Sequence, residues 1–314
     1  MNVSIIIPVF NEAESIEKLI KKLSVLIEKE KNIIWEILLI DDGSIDNTFA
    51  VVQNKIIDIN NINIISLNRN YGQTAAISAG IDKASGDILV TMDADLQNDP
   101  LDIPALINKL NEGYAVVSGW RKDRKDKWLT RVLPSKLANW LISKISGVNL
   151  HDYGCTLKAY RKEAIKDIKL YGEMHRFIPI YISWQGGKIA EIPVRHHERQ
   201  YGSSKYGLMR TFSVIADLIF LKYMDKQFMN PIHMFGGFTI INLFLSIISI
   251  ILMVYFKFWG GKSFIQTPLP QFVILFIMVG ILSLFMGFLA EILMRTYFES
   301  QNKKSYQIQN KKGE

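Results

Sequence analysis

Oxygen-bearing side chains cluster between residues 93 and 97, where Asp93, Asp95 and Gln97 alternate with apolar residues. Carboxylate and amide oxygens are ligands that Mg²⁺ and Mn²⁺ prefer, and these ions often complete their coordination with phosphates of a substrate. An isolated Asp-x-Asp pair is a weak signal, because acidic loop residues are usually only solvated. Here the cluster directly follows the apolar run at 88–92, so we expect it at the end of a buried strand.

Four further apolar runs have the length of buried strands, and they lie at residues 1–10, 35–40, 62–67 and 115–118. Helix-length segments separate the runs, at residues 13–30, 47–58, 73–84 and 102–112. This alternation predicts right-handed βαβ units and a mostly parallel sheet, with ligands bound at the carboxyl ends of the strands. Glu12, Asp41 and Asp42 also follow predicted strands, so we expect them to lie at the same edge as the Asp93 cluster.

Composition and motif content exclude several classes of protein. The 314 residues include one cysteine, Cys155, so an internal disulfide is impossible, and spaced Cys/His zinc ligands do not occur. No Gly-x-Gly-x-x-Gly follows the first predicted strand and no complete P-loop pattern occurs, so dinucleotide oxidoreductases and P-loop ATPases lose their main support. Since these phosphate-binding loops are missing, we expect that a metal ion, and not a glycine-rich loop, neutralises the charge of a diphosphate ligand.

The net charge of +7 is spread along the chain. Residues 1–231 carry 30 Lys and Arg against 27 Asp and Glu, and residues 232–314 carry 7 against 3, so we expect no nucleic-acid partner. One local exception is the segment 121–136, with seven Lys or Arg against two Asp. This segment indicates a phosphate-rich ligand or an anionic membrane surface, and a solvated charge run is the alternative.

Two apolar stretches near the C-terminus, residues 234–255 and 272–290, contain no Asp, Glu, Lys or Arg. At about 1.5 Å per residue, each is long enough to cross a hydrocarbon core of about 30 Å. Buried helices of a large soluble core are the alternative. Lys and Arg outside the pair outnumber those in the connection at 257–271, which predicts both termini in the cytoplasm. Residues 208–229 mix apolar and charged side chains, which is typical of an interfacial amphipathic helix or of a helix packed on the domain.

Four short motifs together resemble the inverting family 2 glycosyltransferases with the GT-A nucleotide-sugar fold. They are Pro8-Val-Phe-Asn-Glu12, Asp41-Asp-Gly-Ser44, Asp93-Ala-Asp-Leu-Gln97 and Gly119-Trp-Arg121. The stretch 198–206 and the two apolar stretches narrow the resemblance to polyprenyl-phosphate glycosyltransferases, the group of dolichol-phosphate mannose synthase and bactoprenol glucosyltransferases. Residues 67–73, 152–155 and 177–180 are similar to undecaprenyl-phosphate 4-deoxy-4-formamido-L-arabinose transferases, and the resemblance covers about residues 3–297.

The resemblance implies a role for each matching residue. The uridine nucleotide would be held by Pro8, Phe10, Glu12, Asp42 and Asp93, and the metal and diphosphate by Asp93, Asp95 and Gln97. The acceptor phosphate would be held by Arg121, Arg131, Ser135, Arg199 and Lys205. Asp152 matches the position of the proposed catalytic base. A phosphate monoester hardly needs deprotonation at neutral pH, however, so Asp152 orienting the attacking oxygen or an arginine is the other interpretation, and a loop-capping carboxylate is a third.

The resemblance also implies a layout and a reaction. The layout is an α/β GT-A domain at 1–206, a juxtamembrane amphipathic helix at 207–231, a transmembrane hairpin at 232–297 with spans at about 234–255 and 272–294, and a polar tail at 298–314. The reaction is transfer of one sugar from a UDP-sugar to undecaprenyl phosphate, with Mg²⁺ or Mn²⁺, at the inner (cytoplasmic) membrane.

The resemblance further implies association with the lipid bilayer and a homo-oligomer, with a tetramer as the expected form. Exact sugar identity is not encoded in the shared motifs. Two alternatives stay open. A processive polysaccharide synthase is disfavoured because two spans cannot enclose a sugar channel and no Gln-x-x-Arg-Trp motif occurs. A non-catalytic membrane scaffold with this fold is disfavoured because the acidic residues are present.

Overall fold

A computed structural model of the protein describes residues 1–56, 59, 61–122, 133–170, 172–198 and 231–300. The chain divides into two compact units, Met1–Ile219 and Phe220–Glu314. The juxtamembrane helix predicted at 207–231 lies outside the described residues except for Pro231. Its prediction therefore stays a prediction.

The described part of the first unit forms a seven-stranded sheet with the order β3-β2-β1-β4-β6-β5-β7. The strands are β1 (Asn2–Val9), β2 (Ile34–Asp41), β3 (Ile62–Ser66), β4 (Ile88–Thr91), β5 (Val116–Trp120), β6 (Lys158–Arg161) and β7 (Ile189–Pro193). Neighbouring strands are parallel except at β6, which is antiparallel to both β4 and β5. The predicted mostly parallel sheet is therefore confirmed, and β6 and β7 add to the predicted strands.

Helices cover both faces of this sheet. They are α1 (Ile16–Lys29), α2 (Thr48–Ile56), α3 (Gln73–Lys83), α4 (Ile103–Asn111), α5 (Leu133–Ser146), α6 (Lys162–Ile165) and α7 (Ile178–Trp184). The first four match the predicted helical segments. One core includes Ile5 and Leu19, and the other includes Ile6 and Ile77, so alternate residues of β1 are buried on opposite faces. Burial on both faces explains why the central strands read as continuous apolar runs.

Strand direction decides which loops meet. Since β6 is antiparallel to both of its neighbours, β5 runs in the same direction as β1, β2 and β4. The segments after Val9, Asp41, Thr91 and Trp120 consequently leave the sheet at one edge, and the segment entering β6 arrives at that edge. The predicted convergence of polar clusters at one edge follows from this topology.

The second unit contains two long apolar helices, α8 (Pro231–Phe258) and α9 (Leu269–Ser300). They pack on each other as a hairpin through small residues: the Thr239 hydroxyl donates to the carbonyl of Gly280 at 3.1 Å, and Gly287 lies against Phe235. Most of their large apolar side chains are exposed. Mean hydropathies of 2.4 over Pro231–Phe258 and 2.8 over Leu269–Met294 make both helices long and apolar enough to cross a membrane.

A close backbone approach joins the loops that follow β2 and β3. Gly43 has a φ of +70°, in the left-handed region, and a Cβ atom there would lie 2.4 Å from the backbone carbonyl carbon of Arg69. Only glycine satisfies both the backbone angle and the contact. The two loops therefore pack backbone against backbone beside Asp42.

This contact predicts unequal costs for two glycine substitutions. Gly113 also has a positive φ, +99°, but nothing lies within 4 Å of a Cβ atom built there. We expect Gly113→Ala to cost about 1 kcal/mol, as a left-handed L-residue does, and Gly43→Ala to cost about 1 to 3 kcal/mol more through overpacking. Thermal unfolding of the full-length protein in detergent measures the difference. Equal losses in the two variants would contradict the close approach.

Candidate active site

Hydrogen bonds between loops fix the ends of β1 and β2. Asn11 adopts a left-handed φ of 52°; its N–H donates to the Ser44 hydroxyl, and its side-chain oxygen accepts from the N–H of Ile45, both at 2.9 Å. The N–H of Glu12 donates to Thr48 Oγ1 at 2.9 Å. The predicted nucleotide residues Pro8, Phe10 and Glu12 are half-buried along this segment. They share the sheet edge with Asp42.

Asp42 is buried, and each of its carboxylate oxygens already has a partner. Oδ1 accepts from the N–H of Tyr71 at 2.8 Å, and Oδ2 accepts from the N–H of Gly72 at 2.9 Å. Burial raises the pKa of Asp42, the two N–H groups oppose that rise, and neighbouring Asp41 adds to it. Asp42 thus holds the loop before α3, while a carboxylate oxygen retains a second lone pair for a ligand.

Gln73 links that loop to the acidic cluster. As the first residue of α3, it donates from Nε2 to Asp93 Oδ1 at 2.7 Å. Gln73 was not among the predicted site residues. The only signal for it was its place at the end of the motif at 67–73.

The Asp93–Gln97 turn has the donor chemistry of a magnesium or manganese site. Asp95 Oδ1 accepts from the N–H of Gln97 at 3.1 Å, and Leu96 adopts a left-handed φ of 63°. Within the described residues, no group of three or more His, Cys, Asp or Glu side chains is arranged to hold a metal ion. Two carboxylates fit an ion that takes one or two protein carboxylates and completes its shell with water and substrate phosphates.

Arg121 and Asp152 form a buried bidentate ion pair. Arg121 Nε lies 2.7 Å from Asp152 Oδ2, and Nη2 lies 2.9 Å from Oδ1. The two side chains are 16% and 3% exposed. Arg121 follows β5 and Asp152 lies in the segment that enters β6, so adjacent antiparallel strands bring them together. Both residues were predicted, Arg121 as a phosphate contact and Asp152 as a base, as a group that orients the attacking oxygen or an arginine, or as a loop cap.

The field around Arg121 keeps it charged. Burial alone would lower the pKa of the guanidinium, but the charge and hydrogen bonds of Asp152 outweigh burial and raise it, and Asp93 contributes in the same direction. The Asp93 carboxylate therefore favours the charged form of the Arg121 guanidinium. One site therefore carries carboxylates at β4 and a fixed guanidinium at β5.

The remaining predicted phosphate contacts are only partly described. Ser135 is half-buried on α5, while Arg131, Arg199 and Lys205 lie outside the described residues.

Two further residues at this edge were missed. Glu191 on β7 accepts from the N–H of Asp152 at 3.0 Å, and Lys158 at the start of β6 donates to backbone carbonyls of the same loop. Nothing in the local sequence indicates either role.

Comparison with known proteins identifies relatives over nearly the whole chain. Residues 4–169 match the family described as Glycosyl transferase family 2. Dodecaprenyl-phosphate galacturonate synthase of Rhizobium johnstonii is 38% identical, with 98% of this chain and 91% of that protein covered. The match includes both apolar helices, since only a small part of this chain is left out.

Solved structures share the fold at lower identity. Glucosyl-3-phosphoglycerate synthase of Mycobacterium tuberculosis, crystallised with Mn²⁺, uridine diphosphate and phosphoglyceric acid, matches with a TM-score of 0.54 and 21% identity over 71% of this chain and 77% of its own. The same enzyme with Mg²⁺ and uridine diphosphate gives 0.54 and 19%, over 70% and 79%. Mannosyl-3-phosphoglycerate synthase of Rubrobacter xylanophilus gives 0.57 and 16%, over 71% and 74%.

These structural likenesses concern the fold alone, whereas the family match covers more than half of the chain and the curated relative covers almost all of it. The chain therefore belongs to glycosyl transferase family 2, and its mostly parallel sheet with the acidic residues at the carboxyl edge is the GT-A fold that the sequence resemblance implied.

Proposed function

We propose that this glycosyltransferase moves one sugar from a UDP-sugar to a polyprenyl phosphate such as undecaprenyl phosphate, with inversion at the anomeric carbon. The observation that carries the proposal is the match along 98% of the chain to a dodecaprenyl-phosphate galacturonate synthase. The site agrees with it, because the carboxyl edge of the sheet offers carboxylates for a metal-bound diphosphate and a fixed arginine for a second phosphate. The membrane helices agree with a lipid acceptor.

The donor half of the site comprises the segments after β1, β2 and β4. In the proposal, Pro8, Phe10, Glu12 and Asp42 hold the uridine, while Asp93, Asp95 and Gln97 hold Mg²⁺ or Mn²⁺ and the diphosphate. The structural neighbours crystallised with uridine diphosphate and Mn²⁺ or Mg²⁺ support a uridine nucleotide and a divalent ion as ligands. When bound, the ion would neutralise charge on the departing diphosphate.

The acceptor half depends on Arg121. A lipid phosphate monoester carries about −1.5 to −2 charges at pH 7, and bidentate pairing with arginine suits its oxygens. We assign Arg121 to that phosphate, with Arg131, Ser135, Arg199 and Lys205 as further proposed contacts. Asp152 pairs with Arg121 through both carboxylate oxygens. Its main role in the proposal is therefore to hold Arg121 in place, not to remove a proton.

The proposed sugar transfer needs no catalytic base. A non-bridging oxygen of the lipid phosphate attacks the anomeric carbon from the face opposite the leaving group. The bond from that carbon to the diphosphate oxygen breaks, and UDP leaves with the electron pair. Because the phosphate dianion already has an electron pair to donate, no proton has to be taken from it.

The membrane arrangement follows from the acceptor. We propose an inner-membrane protein with α8 and α9 as the two spans and with both termini in the cytoplasm, where UDP-sugars are available. The excess of Lys and Arg on the terminal sides of the hairpin supports this orientation. The homo-oligomer, with a tetramer as the expected form, stays a prediction.

Product analysis tests the function directly. Full-length protein in liposomes with undecaprenyl phosphate is given a panel of UDP-sugars, beginning with UDP-galacturonate because the curated relative makes a galacturonate product. We expect one glycosyl residue per lipid by mass spectrometry. Products with several sugars would favour a processive synthase, and no lipid product with any donor would favour the scaffold alternative.

Metal dependence tests the role of Asp95. We expect Asp95→Ala to abolish transfer and EDTA to silence the wild-type protein until Mg²⁺ or Mn²⁺ is restored, because neutralisation of the leaving diphosphate is worth several kcal/mol, on the order of 3 or more. Asp82→Ala, which removes an exposed carboxylate on α3, is the control. Calorimetry adds a second readout, since the ion should strengthen UDP binding to wild type but not to Asp95→Ala. Full activity in EDTA would overturn the assignment.

A double-mutant cycle separates the two roles of Asp152. We expect Arg121→Gln and Asp152→Asn each to lower kcat/KM for the lipid phosphate by roughly 10²-fold, as loss of one charge-stabilising donor does. If Asp152 acts through Arg121, the double variant should be no worse than Arg121→Gln alone. Multiplied effects would instead show that Asp152 acts independently of Arg121, as a base would. UDP affinity should stay unchanged throughout, and Lys55→Gln, which removes a surface ion pair with Glu17, is the control.

A further inference from the structure

One row of side chains across the sheet is polar where its neighbours are apolar. Strand register aligns Thr91 of β4, Lys158 of β6, Ser118 of β5 and Glu191 of β7. Directly opposed residues in a sheet lie on the same face. The next row is entirely apolar, and it consists of Val90, Ala159, Val117 and Ala190. Burying polar groups is costly unless they are hydrogen-bonded, so the polar row requires a reason.

Three members of the row hold the backbone of one loop. Lys158 Nζ donates to the carbonyl of Tyr153 at 3.1 Å and to the carbonyl of Cys155. Glu191 accepts from the N–H groups of His151 and Asp152, each at 3.0 Å from its nearer oxygen, and Thr91 Oγ1 donates to the carbonyl of Thr156 at 2.7 Å. The row therefore grips five backbone groups between residues 151 and 156, and this is the loop that carries Asp152.

Lys158 is the least expected member. It is 2% exposed, and the hydrogen bonds described for its ammonium go to carbonyl oxygens of that loop. Burial lowers the pKa of Lys158 to about 8, against the opposing influence of Cys155 and Asp152. An apolar side chain at this position would avoid the desolvation cost of a buried ammonium. The hydrogen bonds that Lys158 makes to the loop therefore explain why a lysine, and not an apolar residue, is buried at this position.

The 151–156 loop packs closely on the Arg121–Asp152 ion pair, so the position of the loop determines the geometry of the pair. A Cβ atom on Gly154 would lie 3.2 Å from Arg121 Nη2 and 3.5 Å from Asp152 Oδ1. Asn139 of α5 also holds the loop, since it donates to the carbonyl of His151 at 2.7 Å. Movement of the loop backbone by an ångström would therefore displace Asp152 and disturb its contact with Arg121.

We propose that Lys158 and Glu191 are positioning residues, which fix the 151–156 loop and through it the Arg121–Asp152 pair against the acceptor phosphate. This inference rests on the proposed function, which assigns the Arg121–Asp152 pair to the acceptor phosphate. Neither residue touches substrate in this proposal. Ser118 is the informative exception, because its buried hydroxyl has no hydrogen-bond partner in the described part of the chain.

The test compares two row members that hold the loop with two matched controls. Lys158→Met and Glu191→Gln should lower kcat by about 10- to 100-fold, the cost of a small misplacement of reacting groups. Ser118→Ala removes a row member whose hydroxyl has no hydrogen-bond partner among the residues that the structure describes. Lys162→Met removes a similar lysine-to-carbonyl bond, to Ala84 at 2.6 Å, at the other end of β6. We expect both controls, and UDP affinity in all four variants, to stay within about twofold of wild type.

Hydrogen–deuterium exchange of peptides covering residues 148–157 supplies a readout that does not depend on activity. Exchange should rise in Lys158→Met and Glu191→Gln but not in Ser118→Ala. Unchanged kcat in Lys158→Met would overturn the inference. If that variant fails to fold or to bind UDP, Glu191→Gln decides, and full kcat there would equally overturn it. Wild-type protein that transfers sugar to no polyprenyl phosphate would contradict the proposed function, and the exchange comparison would then still decide whether the row holds the loop.

Discussion

The buried contact between Arg121 and Asp152 constrains how the end of β5 and the loop before β6 are arranged. An ion pair removed from water is stable only when its geometry is good and its remaining polar groups are satisfied. The geometry is good here, because two short parallel hydrogen bonds join the side chains, and Glu191 anchors the backbone of Asp152. The antiparallel strand β6 supplies the geometry, because it begins at the edge at which β5 ends, so the segment that enters β6 lies beside Arg121. The exception in a mostly parallel sheet is therefore what allows the pair to form.

Carboxylates at this edge serve structure and ligand binding together. Asp42 uses both oxygens on backbone N–H groups, and Asp93 accepts from Gln73, so the loop before α3 is fixed by the residues that the resemblance assigns to the nucleotide. A site in which the same groups hold the loops and the ligand is preorganised, since binding needs little ordering of the chain. Asp42 can reach the loop before α3 because its neighbour Gly43 has no side chain, so the two loops meet backbone to backbone.

Periodicity predicted the elements that are long or continuously apolar, and local sequence could not predict the rest. The strands β1 to β5 and the first four helices follow from apolar runs and turn residues. Strand β6 begins with Lys158 and β7 contains Glu191, so neither reads as a buried strand. Arg121 and Asp152 were selected one at a time from motifs, but their pairing depends on the register of two antiparallel strands. Gln73 was missed because its partner, Asp93, lies in the loop after β4, and no local pattern specifies a contact between that loop and the start of α3.

The two halves of the site are joined by direct bonds between their loops. Asn98, just after the acidic turn, donates from Nδ2 to Thr156 Oγ1 at 3.1 Å, and the N–H of His197 donates to the carbonyl of Gln97 at 2.9 Å. The first bond joins the turn of Asp93 and Asp95 to the loop of Asp152. A nucleotide-sugar that orders the acidic turn when it binds would therefore also stabilise the loop that orients Arg121. Charge couples the halves as well, because Asp93 favours the ionised guanidinium. The position of Arg121 depends on the bidentate contact with Asp152, which holds the guanidinium through two of its nitrogens.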